Sequence, residues 1–461
     1  MTAISRFPVR PRRGTELTLV IFAVAIVTLA YANVALATTG DLPADLWTQA
    51  ALILVVALAF HAVLRWRASY ADPLILPIIT LLNGLGIVMI HRLDLADDRS
   101  FADGYALRQI LLTAISMIIA AAVLILLRDH RILRRYTYTW AAVGVVLLLL
   151  PLAPVIGDAE NGSRIWIQIG PFGFQPGEIA KIALTIFFAG YLVSTRDALS
   201  VAGRRVFGMV LPRARDLGPI LLAWVVSLGV LVFEKDLGSS LLFFGIFVAM
   251  LYVATERRSW IVIGLGLFAA GSYVAYLLFG HVRERVELWL HPFAYETDPG
   301  LSDQVAKGLM GMASGGMFGT GLGNGRPDLT YFAASDFIMP SFGEELGLVG
   351  LFAILALYAL LVERGLRTAL GVRDGFGKLL ATGLAFTIGL QVFVIVGGVT
   401  RVIPLTGLTT PFLSYGGTSL LANWTLCAIL LRISDQARRP MPDPADLPST
   451  SAADTQVVKV S

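Results

Sequence analysis

Long apolar runs follow one another along most of the chain, separated by short stretches rich in Arg, Asp, Gly and Pro. A helix needs about 20 mostly apolar residues to cross a ~30 Å hydrocarbon core. Runs of that kind lie near 17–38, 47–64, 73–91, 105–127, 137–156, 177–194, 217–234, 237–255, 259–280, 341–363, 378–400 and 408–431. The pattern predicts an all-α polytopic membrane protein of about 12 transmembrane helices. Run 177–194 carries Glu178 and Lys181, and only Lys235 and Asp236 part the seventh run from the eighth.

Composition sharpens this picture. The 461 residues are 56% apolar and 15% charged, with a mean hydropathy of +0.74. Soluble domains are nearer 45–50% apolar and about 25% charged, so an ordinary soluble enzyme is excluded. A net charge of +4 is too small to argue for nucleic acid as a partner. With one cysteine, Cys427, the chain forms no internal disulfide and no cysteine metal framework.

Lys and Arg set the orientation, because cytoplasmic loops hold the excess. Placing both termini in the cytoplasm puts 25 of the 36 basic residues there. These include Arg65, Arg67, Arg128, Arg131, Arg134, Arg135, Arg364, Arg367, Arg438 and Arg439. Moving the count by one span inverts the pattern. The first run starts basic and ends near Ala35-Leu36-Ala37, which resembles a cleavage site. Its apolar stretch is longer than the usual ~7–15 residues of a signal peptide and predicts a retained helix. Residues 1–16 then read as a cytoplasmic N-terminus, 433–461 as a disordered cytoplasmic tail rich in Asp, Pro, Ser and Thr. No repeat of fixed period and no inverted symmetry is visible.

Most outer loops are short, but residues 281–340 make a long one between the ninth and tenth runs. A loop of that length usually has a function. It opens on His281-Val-Arg283-Glu-Arg285 and passes Gly315, Gly316, Gly319, Gly321, Gly323 and Gly325. Such glycines either let backbone approach a ligand or membrane surface closely, or simply make a flexible loop. It closes on Asp336-Phe-Ile. At the outer membrane boundary, partial desolvation raises the Asp336 pKa and suits it to base work; the alternative is an N-cap for the tenth span. Glu178 and Lys181, spaced i, i+3, and Asp236 lie at membrane depth, where charged groups are functional candidates or structural ion pairs. His281 and His291, near Glu284 and Glu287, match no strong metal-ligand spacing.

Four blocks carry a family resemblance. The first is Asn161-Gly-Ser-Arg164-Ile-Trp166 running to Gln175-Pro-Gly-Glu178-Ile-Ala-Lys181. The second is Phe233-Glu-Lys-Asp236-Leu-Gly238. The third joins Arg283-Glu-Arg285 and Trp289-Leu-His-Pro292 to Ser314-Gly-Gly-Met-Phe-Gly319, then Asp336-Phe-Ile and Gly343-Glu-Glu-Leu-Gly347. The fourth is Pro404-Leu-Thr-Gly407 with Pro411-Phe-Leu-Ser414-Tyr-Gly-Gly417. In this order they resemble the SEDS family of membrane proteins (RodA, FtsW, SpoVE), closest to its actinobacterial RodA-like members. The match covers roughly 73–432, leaving 17–72 as two additional N-terminal helices before a ten-helix core. The stretch Gln304-Val-Ala-Lys307-Gly308 and Ile395 depart from the family's usual residues.

The resemblance implies a peptidoglycan glycosyltransferase in cell elongation and shape, or in division. It would polymerise lipid II, the undecaprenyl-diphosphate-linked disaccharide pentapeptide, at the outer face, beside a class B penicillin-binding protein transpeptidase. It assigns Asp336 as the catalytic residue and maps Glu178, Lys181, Asp236 and Trp166 onto the family's cavity residues. The chemistry asks for one base and for positive charge near the leaving diphosphate. Arg283, Arg285, Lys307 and Arg401 are the outer cations available, with a divalent cation (Mg or Mn) of unknown ligands. The alternatives are a lipid II flippase using Glu178, Lys181 and Asp236 as a polar path, and a non-catalytic scaffold for a penicillin-binding protein.

Overall fold

The computed structural model describes residues 11–100, 103–153, 157–160, 163–169, 172–200, 205–206, 209–210, 217–293 and 302–440. The basic residues Arg6, Arg10, Arg204, Arg213 and Arg215, the Asn161-Gly162 pair and the tail from 441 lie outside them.

The helices run α1 (Arg13–Thr39), α2 (Leu46–Arg67), α3 (Ile75–Ala96), α4 (Tyr105–Leu126), the short α5 (Ile132–Arg135) and α6 (Thr137–Leu149). Three short antiparallel strands follow, β1 (Gly157–Glu160), β2 (Ser163–Ile169) and β3 (Phe172–Phe174), in the order β1-β2-β3. After α7 (Pro176–Ser200), a two-residue pair, β4 (Arg205–Val206) and β5 (Met209–Val210), leads to α8 (Gly218–Gly229). The chain continues as α9 (Leu237–Thr255), α10 (Ser259–Leu278), α11 (Gly280–Leu290), α12 (Gln304–Gly315), α13 (Ile338–Gly371), α14 (Gly375–Val399) and α15 (Gly417–Arg438).

Among the described residues, ten helices are long and apolar enough to cross a membrane. Two shorter apolar helical stretches, Thr137–Leu152 and Gly218–Glu234, stand where the fifth and seventh runs are predicted. The bundle is sorted by burial. Helices α3, α14 and α15 are almost wholly enclosed, whereas α2, α4, α10 and α13 turn large apolar side chains such as Val55, Ile118, Leu278 and Phe352 outward. An apolar exterior on an apolar core is the arrangement a bilayer solvent selects.

Helix ends carrying Arg65, Arg67, Arg128, Arg364 and Arg438 share one end of the bundle, the basic end; β1–β3, α11 and α12 sit at the other, the cavity end. At the basic end, two buried carboxylates fasten helix termini. Asp72 takes the guanidinium of Arg364 at 2.7 Å and that of Arg438. Asp435 accepts from the Tyr70 amide at 2.9 Å and from Arg439. These bonds correct the expected tail boundary at 433. The helix continues to Arg438, with Ile433, Ser434 and Asp435 buried, because Asp435 supplies charge where the chain folds back. The expected terminal segment 1–16 changes in the same way. Helix α1 begins at Arg13, which bonds Glu16 at 2.5 Å and the Ala71 carbonyl, while Glu16 meets His61 Nδ1 at 2.6 Å.

At the cavity end, α13 is two helices in series. Gly347 interrupts it with φ 67° and ψ −171°. Its 34 residues rise roughly 50 Å, more than a ~30 Å core needs. A break at membrane depth frees backbone groups that need partners. The glycine-rich loop supplies them: Leu348 and Val349 amides donate to the Gly316 and Met317 carbonyls at 3.0 and 3.1 Å. The Thr320 and Gly321 amides donate to the Glu344 and Glu345 carbonyls, both at 3.0 Å. A Cβ on Gly319, whose φ is +81°, falls 2.1 Å from the Glu345 carbonyl oxygen. Gly315 and Gly319 therefore serve backbone-to-backbone approach within the chain, a packed seat where a flexible loop was the alternative. Arg92 of α3 completes the seat, bonding the fully buried Glu345 at 3.0 Å and the Gly325 carbonyl at 2.7 Å.

Candidate functional site

A cavity of about 1040 Å³ opens at this end. Arg108, Trp166, Lys235, Asp236, His281, Glu284, Arg285, Asp336 and Arg401 lie in its wall, with an apolar stripe of Leu111, Leu112 and Ile115 along α4.

Asp336 sits one residue ahead of Phe337, the N-cap position of α13, and no side chain caps that helix. The N-cap alternative thus fails, leaving the carboxylate partly buried on the cavity wall. Its backbone is pinned from three sides. Phe337 is fully buried against α12, where Gly308 leaves space for its ring. The Tyr415 amide donates to the Ala334 carbonyl at 2.7 Å, and Ser414 Oγ donates to the Ser335 carbonyl at 2.5 Å. Gln109, buried on α4, fixes that lead-in strand by donating to the Ser414 carbonyl at 3.0 Å. The segment 404–416 is non-helical, with a turn at 411–413, and α15 starts at Gly417 instead of the expected 408. Burial pushes the Asp336 carboxyl up to about 6, against the Ser335 hydroxyl donating to it at 3.1 Å and the nearby Arg285 charge.

Arg285 is placed to act on several groups. It donates to the Leu405 carbonyl at 3.0 Å, and its charge bears on Asp336, Asp236 and His281. Burial, with Lys235 and Arg285 beside it, holds His281 below the usual imidazole range. Arg401 also lines the cavity, but its guanidinium is engaged. It donates to the Trp289 and Leu290 carbonyls at 2.9 and 3.1 Å, while Trp289 Nε1 donates back to the Arg401 carbonyl at 2.9 Å. That clasp fills the open C-terminal carbonyls of α11.

Asp236 faces the cavity as the N-cap of α9. Its Oδ1 accepts from the Gly238 and Ser239 amides at 2.8 and 3.1 Å, and Oδ2 accepts from Ser239 Oγ at 2.6 Å. The expected ion pair is replaced by a helix terminus, reached through a widened turn at Val230–Glu234 and a left-handed Lys235 at φ 57°.

Glu178 and Lys181 are brought together away from the cavity wall. Lys181 Nζ reaches Glu178 at 2.5 Å, Gln391 Oε1 at 2.9 Å and Asn423 Oδ1 at 3.2 Å. An ammonium has three protons, and each finds an acceptor. The network joins α7, α14 and α15 and meets the cavity floor where Gln391 Nε2 donates to the Thr409 carbonyl at 2.9 Å. Arg283 and Lys307 also fall outside the lining. Arg283 bonds the Leu277 carbonyl and lies over Tyr276; Lys307 pairs with Asp303 at 2.9 Å and lies over Tyr331.

Arg108, Gln109, Gln391 and Asn423 escaped the sequence reading. Their one signal is a polar side chain within, or at the mouth of, an apolar run. Ile395 packs with Val394 and Leu408 in an apolar cluster. For the expected divalent cation, the described residues hold no group of three or more His, Cys, Asp or Glu side chains able to cage a metal.

With this geometry in place, comparisons with known proteins are informative. The family model of the cell cycle proteins FtsW, RodA and SpoVE matches residues 72–439, beginning after α2. Mycobacterium tuberculosis peptidoglycan glycosyltransferase RodA is 50% identical over 457 residues, 98% of this chain and 97% of that protein. Stage V sporulation protein E of Bacillus subtilis is 35% identical over 378 residues, 81% and 99% of the two chains. Among solved structures, the rod shape determining protein RodA of Thermus thermophilus superposes with a TM-score of 0.55 at 26% identity, over 80% of this chain and 98% of that one. A chain from a peptidoglycan synthase complex that coordinates polymerization and crosslinking gives 0.53 at 25% identity, over 86% and 98%.

Proposed function

This chain belongs to the FtsW, RodA and SpoVE family of cell cycle proteins and is a peptidoglycan glycosyltransferase acting in cell shape or division, and from that premise we propose that Asp336 is its catalytic base. The substrate in this reading is lipid II, bound from the outer leaflet, so the cavity end faces outward and both termini face the cytoplasm. The apolar stripe Leu111, Leu112 and Ile115 accompanies the polyprenyl chain, while the disaccharide enters the cavity.

The acceptor sugar's 4-hydroxyl loses its proton to an Asp336 oxygen as its oxygen attacks the donor's anomeric carbon. The bond to the diphosphate breaks on the opposite face, inverting an α-linked donor to a β-linked product. A positioned base contributes about 10²–10⁴-fold. Charge developing on the leaving diphosphate is stabilised by cations already held in a cavity of reduced polarity; Arg285, Lys235 and Arg108 line it. A divalent cation, Mg or Mn, would add further positive charge at the diphosphate if bound together with the substrate. A class B penicillin-binding protein is the proposed transpeptidase partner.

The observation that carries this reading is a carboxylate raised to about 6 on the wall of a cationic cavity beside an apolar stripe. Translocation through Glu178 and Lys181 is not favoured, because both are already paired. The test incubates labelled lipid II with the native protein and with Asp336→Asn, with and without the transpeptidase, and separates products on a gel. A ladder of glycan strands that disappears in the folded variant supports the base. A ladder that survives removes Asp336 from that role.

A further inference from the structure

The family match starts at 72, so helices α1 and α2 lie outside it, yet α1 reaches the loop that seats the base. Gly323, at φ +89°, lies so close that a Cβ there would stand 2.7 Å from Ala37 Cβ and 3.0 Å from the Val34 carbonyl oxygen. Val34 is fully buried in a cluster with Tyr31 and Val88, against which Leu322 packs. From Gly323 the connection is short. Its amide donates to Glu345 Oε2 at 3.0 Å, and Glu345 Oε1 is held by Arg92 at 3.0 Å. The neighbouring Thr320 and Gly321 amides bond the Glu344 and Glu345 carbonyls, fixing the short half of α13 between Ile338 and the break at Gly347. Asp336 stands at the start of that half-helix.

We propose that the outer end of α1, through Val34 and Ala37, is a positioning surface for the catalytic loop, setting where Asp336 stands relative to the acceptor hydroxyl. Helix α1 then acts on the reaction through the glycine-rich loop, never touching substrate. This rests on Asp336 as the base, but the contact itself is testable without it. Interdigitated close packing transmits displacement where a looser contact absorbs it. Positional errors of an ångström at a reacting group cost up to about 100-fold in rate.

The experiment uses the full chain in nanodiscs with three variants. Val34→Ala opens space in the cluster against which Leu322 packs, Val34→Ile keeps a β-branched side chain there, and Leu29→Ala, on the exposed face of the same helix, is the control. Hydrogen exchange is followed at Thr320 and Gly321, and polymerisation of lipid II is resolved into kcat and KM. Expected is faster exchange at both amides in Val34→Ala, with kcat reduced between a few-fold and about 100-fold and KM held. Val34→Ile stays closer to the native chain than Val34→Ala in both readouts, and Leu29→Ala changes neither. Unchanged exchange in Val34→Ala overturns the contact. Faster exchange with native kcat overturns the positioning role, while the Asp336 assignment stands or falls on its own substitution.

Discussion

Removing the Lys181 ammonium while leaving its shape, as Lys181→Met, is the sharpest perturbation of the bundle's interior. Lys181 is 1% exposed and Glu178 4% exposed, so the variant leaves a buried carboxylate without its cation. It also strands Gln391 Oε1 and Asn423 Oδ1, which accept from Nζ at 2.9 and 3.2 Å. Breaking a buried ion pair by deleting one partner costs about 3–5 kcal/mol. In an unfolding equilibrium that is a shift of roughly 10²- to 10⁴-fold. Replacing both charges, Glu178→Gln with Lys181→Met, removes the stranded charge and recovers much of the loss, because a buried pair is often close to neutral against uncharged replacements. Reversible unfolding in mixed micelles measures all four proteins of the cycle, and the coupling between the two sites is expected at about 1–3 kcal/mol. Neither residue lines the cavity, so KM for lipid II is expected to hold in protein that remains folded. A Lys181→Met protein as stable as the native chain, or one whose stability holds while KM rises, refutes the saturated-network argument.

Four further outcomes follow from the geometry. A base works only when ionised, so with Asp336 at about 6 the rate is expected to fall as pH drops through 6, tenfold per unit below it. Ser335→Ala removes a hydrogen bond that favours the ionised form and should move this limb upward in a pH–rate profile; a limb near the ordinary value of about 4 contradicts it. Gly319→Ala places a Cβ against the Glu345 carbonyl at an unfavourable φ and is expected to cost on the order of 3 kcal/mol, read as a lowered thermal midpoint. A tolerated alanine there argues against the sewn break. Asp236→Ala should lose about 0.5–2 kcal/mol of cap stability, whereas Asp236→Asn, which still caps, stays near native in both stability and polymerisation.

The positions of the spans were legible because a bilayer demands some twenty apolar residues in a row wherever a helix crosses. Interruptions inside those rows were not. Glu344 and Glu345 dip the hydropathy just before Gly347 but do not show that the helix breaks there; the partners at 316–321 do. The same holds for Lys181. Its spacing from Glu178 reveals one partner, but Gln391 and Asn423 come from helices more than 200 residues away. Asp336, Asp236, Trp166, Arg285 and Arg401 were named from motifs and do share one cavity. What a motif cannot show is how a group's bonding capacity is spent: Asp236 on a helix terminus, Arg401 on the carbonyls of α11. Arg108 went unseen because a single arginine at the mouth of an apolar run looks like an ordinary flanking charge.

The filled network below the cavity bears on energy conservation in the cell membrane. A pocket of about 1040 Å³ is large enough to admit water into the cavity end of the bundle, and a file of water molecules conducts protons wherever donors and acceptors relay them. At the floor, every Lys181 proton is committed to Glu178, Gln391 or Asn423, and the Gln391 amide to Thr409. A floor knit by such bonds is what a sugar-sized recess in a membrane needs if it is not to open a water path through the bundle and short-circuit the proton gradient.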